Sequence, residues 1–130
     1  MTLRTLALFS LLPLAAACGD AAAQDPIVLD SACAETDLAS DGSVAAWESA
    51  GWPPAPRCDW LLFDGRRTVE LNHGLGRTPR DVSIYLAFEP DGRSAAPAAG
   101  DLARILAADA DSVQLRNETN EDFFLKVVLR

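Results

Sequence analysis

One histidine, one lysine and one tyrosine among 130 residues leave few groups for several kinds of chemistry. A hydrolytic triad needs a nucleophile, a base and an orienting carboxylate, and the only imidazole available as base is His73, in "ELNHGLGRTPRDV". No G-x-S-x-G accompanies it, so a hydrolase would rest on His73 alone; a turn histidine bonding local backbone is the expectation, and the protein is read as not an enzyme. Three cysteines without a C-x-x-C leave a four-ligand zinc site in need of carboxylates, so no metal and no cofactor are expected. "HGLG" lacks the lysine and the following helix of a phosphate loop. Asp109 and Asp111 lack the glycine and distal glutamate of a calcium loop and read as turn formers. Glu70 and Glu89 face outward on separate strands, with nothing to fix the spacing that glycoside cleavage demands. Eleven basic against 19 acidic side chains exclude nucleic acid as a partner, because phosphate neutralisation supplies most of that affinity. No apolar run approaches the roughly 18 to 20 residues of a membrane-spanning helix.

What is present at the start is a single charge at Arg4, the apolar run 6–14 broken by Pro13, then Ala15, Ala16 and Ala17 before Cys18. This is the layout of a secretory signal. With Cys18, Gly19 and Asp20 following, it resembles the lipobox of bacterial lipoproteins, although Ala15 holds the place where that family prefers leucine. The resemblance implies cleavage before Cys18, a diacylglyceryl group on its thiol and acylation of the new amino terminus. Several acyl chains make anchoring stable where one gives only marginal binding. Gly19 rather than aspartate after the cysteine implies delivery to the outer membrane. Asn117-Glu118-Thr119, a glycosylation sequon in eukaryotic secretion, carries no such meaning in a bacterial envelope.

Removing residues 1–17 from the 130 leaves 113 and takes the formal charge from −8 to −9, since Arg4 is lost. The balance is uneven: residues 18–56 carry seven acidic groups and no Lys or Arg. Such charges keep an exposed segment soluble, which is the favoured reading; the alternative is that a membrane-proximal segment of this sign is repelled by anionic head groups and holds the domain off the bilayer. With Cys18 lipidated, Cys33 and Cys58 form a pair expected to be a disulfide in an exported chain. Residues 18–30 read as a flexible tether. Residues 31–58 read as a strap pinned by the disulfide, with Trp47 and Trp52 packing on the domain. Within it "SVAAWESAG" fits one short helix, capped by Ser43 and ended by Gly51.

From Asp59 onward, strand and turn signals take over, and residues 59–130 are expected to form a small antiparallel β-sandwich, making the chain mainly β. Asp64-Gly65 reads as a hairpin turn. Val69 and Leu71 share one face of the next strand; Val82, Ile84, Leu86 and Phe88 face inward on another. Residues 101–108 fit either strand or helix, with strand favoured, followed by an Asp-rich turn and a second strand ending near Asn117. "DFFLKVVLR" alternates Phe123, Leu125, Val127 and Leu129 with a half-apolar opposite face, which places it centrally, covered on both sides.

The strand, "HGLGRTP", strand pattern resembles a turn in small β-sandwich modules of phage tail tips and in H-type lectins. The resemblance implies non-catalytic binding of a glycan or surface ligand. On general grounds Arg77, Arg80 and Tyr85 are the first candidates for ligand contact, since Arg and Tyr favour interfaces. The expected function is therefore a lipid-anchored, non-enzymatic binding module of the cell envelope. The alternative is a structural accessory subunit of an envelope assembly, pairing through an edge strand.

Overall fold

The computed structural model describes residues 24–29 and 31–130. The expected signal, residues 1–17, and the expected lipidation position Cys18 lie outside the described residues. Ten strands follow in chain order: β1 (Ile27–Leu29), β2 (Glu35–Leu38), β3 (Val44–Glu48), β4 (Leu61–Phe63), β5 (Thr68–Asn72), β6 (Val82–Ala87), β7 (Ala96–Pro97), β8 (Arg104–Ala108), β9 (Ser112–Arg116) and β10 (Phe123–Leu129). They form two packed sheets. The first has the order β1-β5-β9-β8, and the second β2-β3-β10-β6-β7, with β4 also paired to β10.

Alternation of apolar residues explains the packing. Val69 and Leu71 of β5 with Val113 and Leu115 of β9 meet Ile84 and Leu86 of β6 and Phe123, Leu125, Val127 and Leu129 of β10 in one buried cluster. β10 is the centre of the second sheet: β6 runs along one side of it, and β3 and β4 share the other, end to end. Its reverse face is covered too, as the half-apolar pattern required, for Lys126 and Val128 are buried.

Registers define two ends of the sandwich. Ile27 pairs with Val69, Thr68 with Arg116 and Arg116 with Arg104, while Phe63 pairs with Phe123 and Phe124 with Ala87. The short link from Phe63 to Thr68 and the Asn117 amide, which donates to Phe63 O, put these residues at one end. This is the end at which the chain enters from Gln24, the proximal end. Connections 73–81 and 109–111 lie at the opposite, distal end.

Several expectations are corrected. The 43–51 segment is no helix: Val44–Glu48 is β3, with Trp47 buried in the core and Glu48 on the reverse face, because pairing to β2 and β10 and burial of Trp47 outweigh the helix preference of its alanines. The tether gives way to structure at Ile27 rather than after residue 30. Ile27 and Leu29 pack on the core and pair in parallel with β5, so the first sheet is not wholly antiparallel. The strap supplies two strands, β2 and β3, to the second sheet instead of only lying across the domain. Asp64-Gly65 does not make a hairpin, since β4 pairs with β10 and β5 with β1 and β9; the turn carries the chain from one sheet to the other. Its positive φ falls at Arg66 (61°), while Gly65 is needed for space: a Cβ there would lie 2.6 Å from the backbone of Asn120. Phe88, expected inside, stands one residue beyond β6 and is 73% exposed. Residues 104–108 do form a strand, β8, preceded by one 3-10 turn at Gly100–Leu102.

A candidate binding face on the second sheet

The reverse face of the second sheet is built around the loop joining β3 to β4. That loop carries Pro53, Pro54 and Pro56, and the Cys33–Cys58 disulfide, with Cα atoms 5.7 Å apart, ties it to the turn before β2. Trp60 is its buried anchor. The indole Nε1 donates to Gly51 O at 3.2 Å and the backbone N–H to Pro90 O at 2.8 Å. Gly92 lies flat on the ring, and a Cβ there would come within 2.5 Å of it. Trp52 leans on this base, 5.5 Å from Trp60 at 75° and 5.4 Å from Tyr85 at 56°, both favourable tilted contacts. Trp52 nevertheless remains 51% exposed.

Under this aromatic group runs a partly buried ion pair. The Lys126 ammonium, on a side chain only 4% exposed, donates to the Glu48 carboxylate and to Ala50 O, and Lys126 stands opposite Tyr85 in the β10–β6 register. The pair fixes β10 to β3 and to the start of the aromatic loop. Proline, disulfide, ion pair and Trp60 thus hold one exposed indole in a set position. An ordered aromatic surface of this kind stacks on a flat apolar ligand face with little loss of side-chain freedom.

The candidate residues are divided between two places. Tyr85 belongs to the aromatic face. Arg77 and Arg80 are exposed in the connection 73–81 at the distal end, where the Arg77 guanidinium reaches Ala45 O at 3.5 Å and the Arg80 N–H bonds to Arg130 O. His73 is buried beside them. Its Nδ1 accepts from Leu75 N–H at 3.3 Å and its Nε2 faces Asp109 O at 3.2 Å, so backbone groups occupy both nitrogens. Asp109 itself caps the turn, accepting from the N–H groups of Asp111 and Ser112, and these bonds hold its carboxyl below the ordinary value. Among the described residues, no group of three His, Cys, Asp or Glu side chains is placed to hold a metal ion.

Trp60, Lys126 and Glu48 were not singled out as a site by sequence reasoning. The signal for them was the half-apolar reverse face of β10, which needed a cover.

Fold and face together define a disulfide-bridged, two-sheet β-sandwich whose strap presents an exposed tryptophan. Comparison with family models, with curated proteins and with solved structures returned no match for the chain.

Proposed function

We propose that the protein is a lipid-anchored, non-enzymatic binding module of the bacterial cell envelope, delivered to the outer membrane through Cys18, and that it binds glycan on the face around Trp52 and Tyr85. The observation that carries the ligand assignment is the half-exposed Trp52, braced by Trp60 and Tyr85 on a loop closed by the disulfide. Aromatic stacking against sugar rings buries their apolar C–H faces, and the phenolic hydroxyl of Tyr85 offers a polar handle beside it. The use of both His73 nitrogens by backbone supports the non-catalytic reading.

The accessory-subunit alternative needs a free edge strand. The edges are β1 and β8 in one sheet and β2 and β7 in the other: β2 and β8 are bulged, between Asp37 and Leu38 and between Ile105 and Ala107, while β1 has three residues and β7 only Ala96 and Pro97, and bulged, short or proline-bearing edges resist further pairing. The binding-module reading is therefore preferred.

The test is a glycan array probed with the processed protein and with Trp52→Ala. Selective binding by the wild type, reduced at least tenfold in Trp52→Ala with folding retained, is the expected result. Equal binding by both removes the aromatic face, and intact mass showing no acyl group on Cys18 removes the anchor.

A further inference from the structure

Exposed apolar side chains are distributed unevenly between the two ends. Phe88 is 73% exposed, Leu62 51% and Leu102 42%, and all three belong to the proximal end, close to the Phe124–Ala87 and Arg104–Arg116 pairs. Phe88 rests on Phe123 with ring centroids 5.3 Å apart. Between Phe88, Phe123, Leu102 and Pro97 lies an apolar groove of about 290 Å³. At the distal end the connection 73–81 keeps its one large apolar side chain, Leu75, buried and presents Arg77 and Arg80, and Leu38, exposed beside Val44 on the edge strand β2, stands there singly rather than in a cluster. A soluble domain has no need of a phenylalanine left in water at a turn, and clustered apolar exposure marks an interaction surface.

The course of the chain says what covers it. Gln24 approaches the body at this same end, its side chain bonded to the Arg67 guanidinium, and five residues lie between it and Cys18. The six Cα–Cα steps from Cys18 to Gln24 reach about 20 Å at full extension. A lipid at Cys18 therefore keeps the proximal end within that distance of the bilayer.

We infer that the proximal end is a membrane-docking surface, in which Phe88 and Leu102 enter the interfacial layer of a zwitterionic leaflet while the distal end and the Trp52 face stay in water. The inference rests on the anchored reading above. Charge selects the neutral leaflet: Arg66, Arg93 and Arg104 stand here among Glu89, Asp91 and Asp122, with no excess of cations to favour anionic lipid. It also narrows the repulsion alternative to Asp20 and Asp25, which precede β1. Glu35, Asp37 and Asp41 of the acidic segment lie on or beyond β2, an edge strand of the second sheet, away from the tether.

The experiment uses the processed, lipidated protein in phosphatidylcholine vesicles. With Cys18 acylated and Cys33 bonded to Cys58, Glu89→Cys and Thr78→Cys each introduce one free thiol, at exposed positions of the proximal and distal ends, for an environment-sensitive fluorophore. A lipid-borne nitroxide quencher should quench the label at position 89 at least threefold more than at position 78. Phe88→Ser in the Glu89→Cys background should cut that quenching by half or more. Equal quenching at the two positions, stronger quenching at 78, or no effect of Phe88→Ser overturns the inference. Intact mass of the same samples separates the two failures: an acylated protein without proximal quenching defeats the docking surface alone, whereas an unacylated one defeats the anchor and the inference with it.

Discussion

Lys126 and Glu48 show how a single buried charge constrains its neighbours. Glu48→Ala would leave the Lys126 ammonium with only Ala50 O as a protein partner; an uncompensated buried charge costs about 3 kcal/mol, and the part-exposed position of Glu48 lets solvent reduce that cost. Denaturant unfolding should show that loss. The double variant Glu48→Ala/Lys126→Met should recover most of it, because a methionine fits the stem's volume without the charge. Asp109 supplies a prediction in pH. Its folded carboxyl is depressed by the N–H groups of Asp111 and Ser112, so its contribution is complete above the unfolded carboxylate value and disappears as pH falls through the lowered folded value. The stability gap between wild type and Asp109→Asn should accordingly be largest near neutral pH and shrink in acid, measured by unfolding midpoints at each pH. Asp41 and Asp91, depressed by bonds from Ser43 and Arg93, follow the same sign.

Elements that bury one face alternately, such as β5, β6 and β10, were legible in the sequence because period-two patterning states both the strand and its inward residues. The segment 43–51 was not, since Ala45, Ala46 and Ala50 suit a helix in isolation and it is pairing with β2 on one side and β10 on the other that makes Val44–Glu48 extended. The Asp64-Gly65 turn was located but its consequence misjudged: turn chemistry fixes local geometry, not whether the chain returns to the same sheet. Of the candidate site, Tyr85 was legible as an outward residue, while its neighbour Trp52 reaches it through a fold-dependent loop. That loop hangs on the disulfide. Closing 25 residues limits the unfolded chain enough to contribute about 3.5 kcal/mol, so Cys33→Ala/Cys58→Ala should lower stability by that order and loosen Trp52 more than the β5–β9 pairing. Hydrogen exchange resolved by residue would show protection falling first in 49–60.

At the scale of the molecule, the two sheets enclose one main core, and a smaller cluster around Ala50, Trp60 and Ala87 lies on the reverse face. A domain of this size buries a modest share of its surface, which makes the second cluster and the covalent tie energetically significant. The placement of β10 has a further result, in time rather than space. It pairs with β3, β4 and β6, yet follows the other nine strands in chain order. A chain emerging from the ribosome or from a translocon offers its strands from the first onward, and until β10 appears the second sheet has no middle. The polypeptide is thereby kept from completing its fold early, and synthesis of the chain and closure of the sandwich become successive events rather than overlapping ones.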